Sequence, residues 1–272
     1  YQEVAAAVER DLKAVMDRKL TAHEVRSVEN IVQDHYDLIE RATETGDYTP
    51  ERFRLHVATL HDIVRGYIAK TVVTYAARPG VGKSSYLHNE AAHIASQLKD
   101  GRRVLLYSLE MTEMQVVDGL IASCARLNVQ AIAGRKMRPD HMRMYARAAG
   151  DVARLPLDID DKTRYWEDMT AEIRTRARAG TLSVVLIDYI GLVRTREKFR
   201  GDSAKRLQID HVLADAKLLA METGAVIVFA AQFNRAGDGA PSLVHLKESG
   251  GIEEHSDLVV GIDRDMTDAT LY

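Results

Sequence analysis

The chain has 272 residues, 46% of them hydrophobic, and a formal net charge of −3 at pH 7. That is enough apolar matter for one large domain plus a smaller piece, and the mildly acidic balance excludes a globally basic nucleic-acid coat, leaving local basic loops for any polynucleotide contact. No apolar run approaches the roughly 20 residues that cross a bilayer, no signal peptide opens the chain, and the single cysteine, Cys124, fits a reducing compartment, so a cytoplasmic protein is expected.

The chain begins at Tyr1 rather than Met, which points to residues upstream. Its first part reads as helical. Val4, Val8, Leu12, Val15 and Met16 form one stripe, and Val25, Val28, Ile31, Val32, Tyr36 and Ile39 form another. Neither can bury itself alone. Residues 43–50 read as a charged loop, and Thr49-Pro50-Glu51 as the start of a third helix through Phe53, Leu55 and Val57. The expectation is a helical docking or linker region over 1–65 and a second domain over 66–272.

From residue 70 short β-rich runs alternate with amphipathic helices, the signature of a mostly parallel sheet covered on both faces. Strands are predicted over 71–76, 103–109, 182–188, 225–231 and 257–262, with a short one at 156–159. Helices are predicted over 84–98, 113–127, 166–179 and 204–223. Cys124 falls in an apolar stripe with Met114, Val117, Leu120 and Ile121, and reads as a core residue rather than a nucleophile. In such a sheet ligand chemistry gathers at the carboxyl ends of the strands.

The first of those ends carries the most informative stretch, Ala77-Arg78-Pro79-Gly80-Val81-Gly82-Lys83-Ser84, followed by Ser85. A strand before it and a helix after it are the setting of a phosphate-binding loop. The two glycines let backbone N–H groups turn toward phosphate oxygens, and the helix N-terminus adds positive partial charge. Lys83 reaches the outer phosphates, and Ser84 stands where such loops hold magnesium. Ala77 replaces the usual first glycine, which is tolerable where the backbone stays extended.

Further strand ends supply the rest. Glu110 follows the second strand and could polarise an attacking water, though on position alone a helix-start charge is the blander reading. Asp188 ends an apolar strand, as the magnesium-holding carboxylate does in these nucleotidases. Gln232 ends another and could report the state of the terminal phosphate. Residues 194–206 carry Arg194, Arg196, Lys198, Arg200, Lys205 and Arg206 against Glu197 and Asp202, mobile positive charge suited to a phosphate backbone or simply to solvent. The glycine-rich stretch 234–241 leads into Lys247-Glu248-Ser249-Gly250-Gly251-Ile252-Glu253, whose paired glycines could expose N–H groups to a strand phosphate, or form a plain turn. Asp158, Asp160 and Asp161 cluster without a convincing metal pattern. The ten histidines show no HExxH spacing, and no GxSxG elbow occurs.

Taken in order, the 78–84 loop, Ser108-Leu109-Glu110-Met111, Ile187-Asp188-Tyr189, Gln232-Phe233-Asn234-Arg235 and Lys247 to Glu253 resemble the ATPase domain of DnaB-type replicative helicases over residues 70–265. The resemblance implies an α/β, RecA-like P-loop fold that works as a hexameric ring, with ATP between subunits and single-stranded DNA in the channel. It makes Lys83 and Ser84 the phosphate and Mg2+ ligands, Glu110 the catalytic carboxylate, Asp188 the second acid and Gln232 the phosphate sensor. Lys247, Glu248 and Gly250 match the DNA-backbone loop, with Lys where Arg is usual, and Arg235 joins the basic loop as a DNA contact. The family's trans-acting Lys-x-Arg segment has no counterpart before Tyr272, and Arg264 lies too early for it. Residues 1–65 do not match the family's collar domain.

The expected activity is ATP-driven translocation and duplex unwinding, with a primase or helicase loader as a further partner, in a bacterial cell or a phage-infected host. A recombination or branch-migration ATPase would share the loop and Asp188, and a P-loop phosphotransferase or a nucleotide-binding module without hydrolysis would share the loop alone.

Overall fold

A computed structural model describes residues 26–45, 52–135, 137–233 and 250–263. The chain divides into two units, residues 1–50 and 51–272. In the first, the second apolar stripe forms helix α1 (Val28–Thr45), along which Val28, Ile31, Val32, Tyr36 and Ile39 are exposed. The stripe from Val4 to Met16 lies outside the described residues.

The second unit starts at Glu51, ahead of the compositional break at residue 66. Its opening corrects the expected third helix. Arg52–Phe53 form strand β1, paired antiparallel with β2 (Tyr67–Ile68), and helix α2 covers only Ala58–Val64. Phe53 and Leu55 are both buried, the two-residue alternation of extended chain. The Gln97 side chain accepts from the Arg54 N–H and donates to the Arg54 carbonyl, both at 2.9 Å, so the backbone is satisfied without a helical ladder.

Strands β3 (Val72–Ala77), β4 (Arg103–Ser108), β5 (Leu157–Asp160), β6 (Leu182–Asp188), β7 (Val226–Gln232) and β8 (Leu258–Ile262) form one sheet in the order β5-β4-β6-β7-β3-β8. Every neighbouring pair is parallel. Continuous apolar runs such as Val184-Val185-Leu186-Ile187 suit this arrangement, because both faces of the sheet are covered.

On one face, helices α3 (Lys83–Ala95) and α4 (Glu113–Ala125) set Leu87, Ile94, Val116 and Leu120 against Val73, Tyr75, Val104 and Leu106. Two helices with no counterpart in the sequence reading, α5 (Val129–Ala133) and α6 (Pro139–Ala153), add a satellite core around Ile121, Ala125, Ile132 and Ala148. On the opposite face, α7 (Trp166–Arg178) and α8 (Ala204–Thr223) cover Leu105, Tyr107, Val185 and Ile187, and the Trp166 indole N–H donates to Asp215 at 2.7 Å. A short helix α9 (Gly250–His255) precedes β8. Cys124 is exposed, not part of the core: α4 buries Val116, Leu120, Ile121 and Ala125, which turns Met114 and Cys124 outward.

All crossovers return to the same end of the sheet. The carboxyl ends of β3, β4, β6 and β7 therefore stand side by side, at the reversal of strand order where α/β sheets place their ligands.

Candidate active site

β3 ends at Ala77, which is buried and paired with Gln232 at the end of β7. Because Ala77 is still strand, its side chain costs nothing where a glycine is customary. Two positions beyond do require glycine: Gly80 has φ +81° and Gly82 has φ +104°. A Cβ at either would meet nothing within 4 Å, so backbone conformation and not crowding demands the glycine, and the space before the loop is open.

That space is a cleft of about 270 Å³. The loop contributes Arg78, Pro79, Gly80, Gly82, Lys83, Ser84 and Ser85, while Glu110 and Gln232 close it from neighbouring strands. Val81 alone of the expected loop residues is turned into the protein. Positions far apart in sequence, 78–85, 110 and 232, thus meet in one cavity.

Beneath it lies Asp188, fully buried at the end of β6. The Lys83 Nζ is 3.2 Å from its Oδ1, and the His88 Nε2 is 3.5 Å from its Oδ2. Burial alone would raise the Asp188 pKa, but His88, Lys83 and Ser84 outweigh it and hold the carboxyl below its ordinary range. The Lys83 Nζ, the His88 Nε2 and both Asp188 oxygens nevertheless lack an aligned hydrogen-bond partner. Buried polar groups are rarely left so, and a cluster of them beside a cleft marks a place where something else binds.

Two members of this cluster were not read from the sequence. Tyr189 carries its ring 4.1 Å from the Lys83 ammonium, a cation–π contact made possible by Gly191, where a Cβ would come within 2.4 Å of the ring. His88 stands four residues after Ser84 on α3, so both face the same way. The Ser84-to-His88 spacing was the available signal.

Glu110 is exposed at the head of a tight turn. Ser108 Oγ donates to the Met111 carbonyl at 2.7 Å, and the Leu109 N–H donates to the Asp188 carbonyl at 2.7 Å, tying the β4 and β6 ends together. The blander role for Glu110 is already filled. Thr112 caps α4 through a capping box with Gln115, and the Glu113 N–H goes to Asp161.

The basic segment is less free than its composition suggests. Arg194 is held by its backbone to Arg164 and Trp166, at 2.8 Å each, and the Arg196 guanidinium donates to Asp168 at 2.7 Å. Lys198, Arg200 and Lys205 are exposed, and Arg206 lies 3.6 Å from Asp210. Arg235, Lys247, Glu248 and Arg264 lie outside the described residues, and Gly250 begins α9. The paired glycines need one correction: the Gly251 N–H is not exposed for a ligand but donates to Asp210 Oδ1 at 3.0 Å, and a Cβ there would meet that oxygen at 2.4 Å. Gly251 permits α9 to close on α8.

The acids on β5 and just after it are structural. Asp158 pairs with Arg103 and Arg176, Asp160 accepts from the Lys162 and Thr163 N–H groups, and Asp161 from that of Glu113. Among the described residues no three such ligating side chains gather to hold a metal.

A parallel sheet in this order, with a Gly-Lys-Ser loop opening α3 and an acid ending the strand two places away, defines a RecA-like P-loop domain. More particularly, the chain belongs to the DnaB-like helicase C-terminal domain family, whose model matches residues 54–270. It is 26% identical to the replicative DNA helicase DnaB of Geobacillus stearothermophilus over 265 residues, covering 94% of this chain and 56% of that protein. Against DnaB of Buchnera aphidicola it is 30% identical, over 71% of this chain and 43% of the relative. It spans about half the length of these relatives. Among solved structures, an isolated ATPase domain superposes with TM-score 0.75 at 26% identity, covering 90% of this chain and 86% of that one. A DnaB-like replicative helicase, studied for its interactions with primase, shares the fold with TM-score 0.73 at 23% identity, covering 97% and 68%. Among the described residues no helix is long and apolar enough to cross a membrane.

Proposed function

We propose that this chain is the motor of a replicative DNA helicase, hydrolysing ATP with Mg2+ and using the cycle to move a ring of six copies along single-stranded DNA and part the duplex. One observation carries the reading: Lys83, Ser84, Glu110 and Gln232, from three separate strand ends, line one open cleft above the buried Asp188. Family membership favours it over a recombination ATPase, a phosphotransferase or a silent nucleotide-binding module.

The residues fit a magnesium nucleotide. The Lys83 Nζ and both Asp188 oxygens are buried without aligned partners, and a hydroxyl with a carboxylate is the donor set that hard cations take. Bound Mg2+ would supply charge neutralisation between phosphate oxygens. Lys83 would turn from Asp188 toward the outer phosphates, and Ser84 and Asp188 are the residues that would hold the ion. Glu110 orients a water in line with the terminal phosphorus and accepts its proton as the new P–O bond forms and the bond to the bridging oxygen breaks, releasing ADP. Gln232, sharing the β3–β7 register with Ala77, passes the loss of that phosphate to the loop that follows.

Backbone phosphates of the strand are gripped by the side chains of Arg194, Arg196, Lys198 and Arg200, with Arg235 and Lys247 as further cations and the backbone N–H groups of Glu248 and Gly250 as donors. Such contacts ignore sequence and weaken steeply with salt. A primase or loader is the further partner this reading implies.

Glu110→Gln tests it. The variant should bind ATP and single-stranded DNA as the parent does, while hydrolysis and unwinding of a forked duplex fall at least about a hundredfold. Hydrolysis at the parental rate would remove Glu110 from the role.

A further inference from the structure

Resting on the reading of Asp188 as the magnesium carboxylate, we infer that His88 is its positioning residue: the imidazole Nε2 stands against Oδ2 and closes on it as a donor when Lys83 leaves for the phosphates, so that the carboxylate stays oriented and compensated. In the structure Asp188 has Lys83 on Oδ1 at 3.2 Å and His88 on Oδ2 at 3.5 Å, with the Ser84 hydroxyl, itself a cleft residue, as a third neighbour. Only one of them is committed to the site for the whole cycle. Lys83 has a second partner to reach, since it closes the loop and lines the cleft, with its ammonium over the Tyr189 ring.

His88 has no such alternative. It is 4% exposed, one turn into α3 from Ser84, and it does not line the cleft. An imidazole buried at this depth against a carboxylate that is itself 0% exposed serves that carboxylate. A buried carboxylate with one partner withdrawn is expensive unless another remains. His88 supplies the remaining one on Oδ2, leaving Oδ1 on the side of Lys83, a residue that lines the cleft. Partners of this kind fix the direction of a metal-holding group, and their loss commonly costs ten- to a hundredfold in metal affinity.

The test is titration of MgCl2 against a fluorescent ATP analogue bound to the full chain, with binding also measured in EDTA. His88→Gln keeps an N–H near the position of Nε2, while His88→Asn, shorter by one carbon, and His88→Met do not. The Met and Asn variants should need about tenfold more Mg2+ for half-saturation, with affinity in EDTA unchanged, and the Gln variant should stay near the parent. Should the Met variant unfold, the Gln and Asn pair decides: equal Mg2+ requirements for the two overturn the inference, as does a parental curve for a folded Met variant. A parent protein whose nucleotide binding ignores Mg2+ altogether would instead overturn the reading of Asp188, and that outcome is visible before any variant is made.

Discussion

Two strands of one sheet, β5 and β6 on either side of β4, carry acids that are satisfied in opposite ways. On β5 and at the position after it, Asp158, Asp160 and Asp161 are all engaged by guanidinium or backbone N–H donors. At the end of β6, Asp188 is more deeply buried, yet neither of its oxygens has an aligned partner, nor has the Lys83 ammonium beside it. Three acids in four residues show no convincing metal pattern in the sequence, and their bonding agrees; the unpartnered carboxylate is the one at the end of β6. A cluster whose hydrogen-bonding capacity is already spent holds the fold, and one kept short of partners inside the protein is prepared for a ligand.

The contrast can be broken by removing one member from each group. Lys83→Ala should lower ATP hydrolysis by at least about a hundredfold, the cost of losing a charge aimed at the transferring phosphoryl group, as read in a phosphate-release assay. Asp158→Ala should leave that rate unchanged and cost roughly 1 kcal/mol of stability in urea unfolding, because its ion pairs with Arg103 and Arg176 are partly exposed. A rate loss in the second variant would erase the distinction.

A third, smaller effect sharpens it. Glu90 is fully buried on α3, accepts the His56 N–H at 2.8 Å, and keeps its Oε1 unpartnered. Burial pushes its pKa from 4.5 up to about 7. The folded protein therefore holds a proton that the unfolded chain has lost, and stability should decline as pH rises from about 4.5 to about 7, then level. Glu90→Gln should flatten that decline in melting curves taken across the range, without altering nucleotide binding.

The parallel sheet was legible because buried strands such as 184–187 and 226–231 are unbroken apolar runs ending in a polar residue, and the loop at 78–84 fixes which end matters. Less legible were pieces whose form depends on distant partners. Arg52–Phe53 is too short to show a period, and only Tyr67–Ile68 and Gln97 make it a strand. α6 is polar on average and fully buries only Ala148, with Tyr145, Ala149 and Val152 half-buried beside it, so no apolar run marks it; Pro139 at its first turn was the available cue. In the site, Lys83 and Ser84 were singled out by the glycine loop, Asp188 and Gln232 by their strand ends, and Glu110 by the family resemblance, since its position alone favoured a helix-start charge. His88 and Tyr189 were not, because what singles them out is proximity to Lys83 and Asp188 across elements.

The most direct measurement is the steady-state rate of ATP hydrolysis by the full chain in Mg2+, with and without an unstructured DNA oligonucleotide. Severalfold stimulation that fades as salt is raised is the predicted result. A rate indifferent to DNA at low salt would contradict the claim that this cleft drives movement on a strand.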